Sequence, residues 1–512
     1  MSLTATRLLP VLLPALALGA CGDDGGTSAT GSTTTVTVTN TTPADPTGDP
    51  PTSTTPTGET GNTTAGGMSE SQGNTATGDA STSSGPDTLT ASTTAPESTG
   101  TTGAVSVSGT TTDPDTTGGS TTAVDPSTTT GQPCLPEDSN GMGDVEKSYL
   151  WVANSDEGTV SKVNTLTMIE EARYRTGPLG GNYAENPSRT AVSYDGRYVV
   201  VNGRQSGSST VIAANKEDCP DTNGNGMVDT SADKSDIRPW GQDECMIWTV
   251  NHPKCASIGC GPRGVTWTPG TFNQDTCKFE SPKIWVGYLP ADGLGIKAHM
   301  ARLDGATGTL EETVVINNWS QGWTDYGPYG AALDKDYNVW FTGLRGELFR
   351  VNTDQNPATF DRWTPPGGTE SYGMTVDPDG DPWMAGCSGP VTTYDPDTNT
   401  FTPIAGTNAC YRGIAADKDG SMWVASNGAC GVMQIDHETN TMIQFHNLNP
   451  CNTPVGVSTD LEGYVWVVDE YVGAWKIDPQ NPGAKMLVNI ASDHYTYSDM
   501  TGGQLKSVVQ PQ

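Results

Sequence analysis

The stretch DCPDTNGNGMVDTSADKSD, beginning at Asp218, carries oxygen-bearing side chains at the alternate positions that a hard cation requires. Asp221, Asn223 and Asn225 take the first, third and fifth places, and Gly226 permits the sharp turn. Met227 offers a backbone carbonyl at the seventh place and Asp229 a carboxylate at the ninth. Oxygen ligands in that order suit Ca²⁺. The twelfth place holds Ala232 where a bidentate Glu would close the set, so Asp233 or Asp236 is expected to stand in. The competing reading is a plain Asn-Gly-rich surface loop. No apolar helix pair flanks the stretch, so the ion's expected role is structural, pinning an insertion at about 215–260.

The elements around this loop follow from a repeat. The segments PYGAALDKDYNVWFTG, SYGMTVDPDGDPWMAG, YRGIAADKDGSMWVAS and PVGVSTDLEGYVWVVD align without gaps. Their glycines are Gly330, Gly373, Gly413 and Gly456, spaced by 43, 40 and 43 residues. An Asp follows each Gly by four residues (Asp334, Asp377, Asp417, Asp460) and a Trp follows by ten (Trp340, Trp383, Trp423, Trp466). In one unit, GIAAD is a short apolar strand, KDG a tight turn and SMWVAS an alternating strand. VMQID and TMIQFH add a third and a polar outer strand. A four-stranded meander of this kind has two apolar faces that only neighbouring units can cover. A period of 40–45 residues therefore predicts an all-β fold, a propeller of four-stranded antiparallel blades. Looser units begin at Ser148, Ser188 and Pro262, which brings the count to seven, with six or eight as the alternatives. The first of these lacks its inner strand, and TYSDMTGGQLKSVV from Thr496 is expected to supply it and close the ring.

Not all 512 residues belong to that fold. Residues 1–20 contain one basic residue, Arg7, and an apolar run too short to span a bilayer, so they read as a signal peptide. Leu18-Gly19-Ala20-Cys21 resembles the lipobox of bacterial lipoproteins, in which the Cys becomes the lipid-modified N-terminus. Residues 21–133 are rich in Thr, Ser, Gly and Pro, with no Lys, Arg, Trp, Phe or Tyr, and are expected to form a disordered tether. The expected arrangement is a monomeric propeller at 134–512, held to a lipid membrane through Cys21 on the outer membrane or cell surface. Beyond the tether, 47 acidic residues outnumber 25 basic ones. That balance excludes nucleic acid as a partner.

Cysteine usage agrees with an oxidising compartment. Lipidation of Cys21 leaves ten of the eleven Cys, an even number. Cys387 and Cys430 follow the Trp strand in consecutive units, and Cys410 and Cys451 precede the next inner strand. Repeat symmetry favours Cys387–Cys410 and Cys430–Cys451, with Cys410–Cys430 as the alternative. A zinc site is a poorer reading, because no CxxC occurs. The pairing of Cys134, Cys219, Cys245, Cys255, Cys260 and Cys277 stays open.

The repeat heads, with the following run [IV]-x-x-[IY]-D-P-x-T, resemble the streptogramin (virginiamycin B) lyase family of seven-bladed propellers. The loop at Asp221 likewise resembles EF-hand, dockerin and thrombospondin type 3 calcium loops. The lyase resemblance implies a His before a head Gly, a Glu after a second-strand Trp, and Mg²⁺. Here the residues before the head glycines are Arg263, Tyr329, Tyr372, Arg412 and Val455. The lyase His is therefore missing from its place, and the C–O lyase reading falls back on Asp469, Glu470 and His494. Arg263, Tyr329, Tyr372 and Arg412, with Arg189, are expected to ring the channel mouth and bind an anionic, carbohydrate or protein ligand. The alternatives are that they plug the channel, or that the chain is a structural surface protein without a small ligand.

Overall fold

The computed structural model describes residues 148–503, apart from 180–183, 293–296, 320–325, 368 and 491–492. The expected signal peptide, Cys21 anchor, tether and Cys134 lie outside the described residues, as do residues 504–512. Among the described residues no helix is long and apolar enough to cross a membrane.

The alternating segments fold as the repeat requires. Blade 6 runs Tyr411–Ala416, Met422–Ser426, Gly431–Asp436 and Thr441–Asn447, each strand antiparallel to the one before. Blades 4, 5 and 7 repeat that order, starting at Gly330, Gly373 and Pro454. Blades 2 and 3 start at Pro187 and Val265 and are also four-stranded. Blade 1 has three strands, Tyr149–Asn154, Thr159–Asn164 and Glu170–Arg175, which makes seven blades.

Of the closing strand expected from Thr496, residues 496–503 are described, and they form a single bridge rather than a regular strand. Tyr497 makes one parallel bridge to Arg189, and the Met500 carbonyl accepts the Trp151 N–H at 2.9 Å. On its other side the Thr501 and Ser458 hydroxyls meet at 2.7 Å. The segment thus sits between the inner strands of blades 7 and 2, in the place of the missing inner strand of blade 1.

The Gly-Asp-Trp spacing has two physical causes. In blade 6 the Trp423 indole N–H donates to Asp417 Oδ2 at 2.7 Å, while the N–H groups of Asp419 and Ser421 donate to Oδ1. Asp334, Asp377 and Asp460 do the same for Trp340, Trp383 and Trp466. One buried carboxylate closes the inner hairpin and satisfies the indole wedged between blades. The head glycines mark close approach: a Cβ on Gly373 would lie 2.2 Å from the Arg412 carbonyl oxygen of the next blade. Within the inner hairpin the left-handed conformation falls instead at the turn, where Gly420 has φ +85°.

Cys387–Cys410 and Cys430–Cys451 are bonded as repeat symmetry indicated, and the Cys410–Cys430 alternative falls. Cys219–Cys245 and Cys255–Cys260 are also bonded, and Cys277 is disulfide-bonded too. Cys430, Cys451 and Asp469 lie within metal-ligating reach of one another, but both sulfurs are spent in the disulfide. Four such bridges fit an extracytoplasmic, oxidising compartment.

Candidate functional site

Each inner strand begins at one end of the channel, so the residue before its head Gly reaches the axis. The expected ring is present, and it is packed rather than open. Arg189, Arg263 and Tyr329 are fully buried, Tyr372 and Tyr497 nearly so. The Tyr329 and Tyr372 rings lie 5.2 Å apart and the Tyr372 and Tyr497 rings 5.1 Å apart. The Tyr329 and Tyr495 hydroxyls meet at 3.4 Å. The arginines sit on these ring faces: Arg412 over Tyr372 at 4.8 Å, Arg189 over Tyr329 at 4.8 Å and Arg263 over Tyr329 at 5.3 Å. Aromatic faces attract guanidinium groups, more strongly when water is excluded.

The hydrogen bonds differ from one arginine to the next. Arg263 Nη1 donates to the carbonyls of Ile258 and Gly259 at 2.9 and 3.2 Å. Arg412 Nη1 donates to the Tyr372 hydroxyl at 3.1 Å. With its amide turned to present oxygen, Asn427 accepts from Arg412 Nη2 and Nε at 3.1 and 3.3 Å. Arg189 Nε donates to the Tyr329 carbonyl at 3.3 Å. Arg189 Nη1 and Nη2 are buried and have no acceptor among the described residues.

At the rim Arg412 is 8% exposed, Glu470 9% and Tyr471 49%. Burial pushes the Glu470 carboxyl up to about 7; the Arg412 and Arg204 charges oppose that rise and Asp493 adds to it. The Tyr471 hydroxyl donates to Glu470 Oε1 at 3.1 Å. Asp469 is used differently. Its Oδ2 accepts the N–H groups of Asn452 and Thr453 at 2.7 and 3.0 Å, and its Oδ1 accepts that of Tyr471 at 3.1 Å. His494 lies beside the Glu470 backbone, its Nδ1 3.0 Å from that carbonyl oxygen, and burial lowers its pKa. Glu470 and His494 thus share one rim, whereas Asp469 braces the loop beneath it.

The ring residues were legible as the places before head glycines. Arg204, Asn427 and Tyr495 were not, because they come from the loops after the second strands and from the closing segment. Arg204 donates to Asn186 Oδ1 at 3.0 Å and covers the Tyr495 ring at 4.5 Å. Those loops turn back to the channel at the same end as the inner-strand heads, and that register is the only signal that could have pointed to them.

The calcium-like loop lies in the connection between the third and outer strands of blade 2, Ser208–Ala213 and Met246–Asn251. Antiparallel alternation puts this connection at the end opposite the mouth. Asp221 Oδ1 accepts the Gly224 N–H at 2.7 Å and Oδ2 that of Gly226 at 2.8 Å. Asp229 Oδ2 lies 2.9 Å from both Asn223 Nδ2 and Asn225 Nδ2, so these side chains converge. Met227 follows in the same turn, its N–H bonded to Asn225 Oδ1 at 2.8 Å. Asp233 stands apart, capping its own turn through the N–H groups of Ser235 and Asp236. The residue that closes the loop is Glu244, whose carboxylate accepts the N–H groups of Asp229, Thr222 and Asn223. Those bonds, with the Thr222 hydroxyl, hold its pKa down at about 2.

The fold and this cluster define the class: a seven-bladed β-propeller whose channel is filled by arginine and tyrosine. Among solved structures the chain is similar to a streptogramin B lyase at 16% identity and TM-score 0.45, covering 64% of this chain and 89% of that one. It is similar to a catalytically inactive virginiamycin B lyase from Staphylococcus aureus with quinupristin, at 13% and 0.42, covering 67% and 88%. It is also similar to a functionally unknown protein from Desulfotomaculum acetoxidans, at 13% and 0.46, covering 69% and 98%. The propeller expected from the repeat heads is the fold that the structure shows. No family model matches the chain, and no curated protein matches it.

Proposed function

We propose that the chain is an extracytoplasmic binding module whose channel mouth takes an anionic ligand, a small molecule bearing a carboxylate or phosphate. The observation that supports this reading most is the arginine cluster at the mouth: Arg412 is 8% exposed at the rim, and beneath it Arg189 is fully buried with two terminal nitrogens that have no acceptor among the described residues. A buried guanidinium gains most from a charge-assisted, bidentate acceptor. Arg412 at the rim and tyrosine hydroxyls within the ring add donors of the same kind. Glu470 sets the pH dependence. Below about 7 its carboxyl is protonated and neutral, and above that it adds a negative charge beside Arg412, Arg204, Asp493 and Tyr471. Anion affinity is therefore expected to fall as pH rises through neutrality.

Calorimetric titration with phosphate, sulfate and D-gluconate at constant ionic strength tests the reading. At least one anion is expected to bind more tightly at about pH 6 than at about pH 8. Arg412→Ala should weaken it ~10–100-fold, in line with the worth of a hydrogen bond to a charged group. Glu470→Gln should flatten the pH profile. Indifference of the protein to all three anions would sink the proposal.

A second reading concerns the loop at the opposite end. Its donors are all oxygen, Asn223 and Asn225 converge on Asp229, and Asp221 braces the backbone of the same turn, which favours Ca²⁺ held by those side chains with the Met227 carbonyl. Glu244 would order the loop from outside the ligand set. Millimolar Ca²⁺ is expected to raise the unfolding midpoint, an affinity of order 10⁻⁴–10⁻³ M being typical of extracellular modules. Chelation should reverse the rise and Asp221→Ala should abolish it. A midpoint unmoved by Ca²⁺ would leave the loop as a hydrogen-bonded turn.

A further inference from the structure

The same insertion builds a cavity of about 570 Å³ against the outer strand of blade 2. That volume lies in the range of small-molecule sites. Arg238, Trp240, Gln242, Met246, Trp248 and Thr249 line it. Trp248 is rigidly held: its indole N–H donates to the Gly305 carbonyl at 3.0 Å. A Cβ on Gly308 would come within 2.7 Å of the same ring. Trp240 is contributed by the insertion and is half-buried.

The wall's charges select among ligands. Asp243 accepts from the Thr230 hydroxyl, the Ser231 N–H and hydroxyl, and the Cys245 N–H. Glu244 is saturated by Thr222, Asn223 and Asp229. Asp229 is engaged by Asn223, Asn225 and, at 3.5 Å, Arg238. The oxygens of these three lining carboxylates are already taken up by hydrogen bonds, so none is placed to bond an organic cation on the indoles. An anion would meet three carboxylates and one guanidinium. A neutral polyhydroxylated ring meets neither obstacle. Its C–H face stacks on indole, and its hydroxyls can pair with the Gln242 amide and with Arg238, whose Nε has no partner among the described residues.

We propose that this cavity is a second binding site, for a neutral saccharide, separate from the channel mouth. The test titrates the intact chain with cellobiose, maltose and N,N′-diacetylchitobiose, read by calorimetry and saturation-transfer NMR, with choline chloride as the competing cationic probe. One or more of the disaccharides should bind. Trp240→Ala should weaken binding at least ~10-fold, the order expected for an aromatic stacking partner, and Trp240→Phe should retain most of it. Arg412→Ala at the mouth should leave it unchanged, so failure here and failure of the anion reading are distinguishable. An unchanged unfolding midpoint in Trp240→Ala excludes a folding defect. Absence of binding by all three sugars, binding indifferent to Trp240→Ala, or preference for choline would each overturn the proposal.

Discussion

Replacing Asp417 by alanine is expected to destabilise the propeller by about 3–5 kcal/mol, among the largest effects of any single polar substitution in the chain. The substitution removes one carboxylate and strands three donors: the Trp423 indole N–H at 2.7 Å and the N–H groups of Asp419 and Ser421 at 3.0 and 2.9 Å. Asp417 is nearly inaccessible, so water cannot replace it without opening the gap between blades. Burial raises the Asp417 pKa, which shows that desolvation outweighs its hydrogen bonds for the charged form. The expected loss therefore comes from unpaired donors and a void more than from a favourable charge. Asp417→Asn supplies one acceptor oxygen where two are used, and should fall between alanine and wild type. Denaturant unfolding of the three proteins checks this. A loss below about 1 kcal/mol for Asp417→Ala would mean that the Asp–Trp pairing is incidental to stability.

Gly413→Ala is expected to cost about 2–4 kcal/mol through the opposite fault, overpacking. The new Cβ would lie 2.6 Å from the Val455 carbonyl oxygen, 2.8 Å from the Val457 nitrogen and 2.9 Å from the Gly456 Cα. All three are backbone atoms of the next inner strand. A side chain can rotate away from such a contact, but a strand locked between two neighbours cannot. Gly428→Ala is the matched control: its Cβ would come no nearer than 3.6 Å to the Cys410 Cβ. Calorimetric midpoints should separate the two variants clearly. Equal midpoints would show that the ring of inner strands is softer than its spacing implies.

Much of this was visible in the residue string, and for local reasons. Alternation in SMWVAS, the Gly420 turn and the apolar head are properties of a dozen consecutive residues, so the hairpin could be read without its neighbours. The recurrence of Gly, Asp and Trp at equal spacing implied four copies of one hairpin, and three looser units brought the count to seven. Equal placement of Cys387 and Cys430, and of Cys410 and Cys451, favoured the pairing that forms over Cys410–Cys430. The position before each head Gly correctly marked Arg263, Tyr329, Tyr372 and Arg412 as neighbours on the axis.

Other features depended on atoms far apart in the chain. The Asp–Trp spacing was plain, yet that the Asp accepts the indole N–H follows only from the twist of the closed hairpin. Asp233 looked like a substitute ligand by its place in the loop, while Glu244, outside the loop, holds it in shape. Both facts turn on where the Cys219–Cys245 connection returns to the blade.

The residue string determined the blade and pointed to its count and to the two staples of blades 5 and 6, because turn chemistry, strand alternation and repeat spacing act over tens of residues at most. The tertiary structure alone decided whether the axis is open or filled. Arg189 meets Tyr329 and Tyr497 only when the last segment returns to the first blades. Loop closure over some three hundred residues sets that meeting. Ring closure also buried Glu470 deeply enough to bring its proton into the neutral range. Charge and burial at the mouth are sums over seven blades, which no single repeat contains.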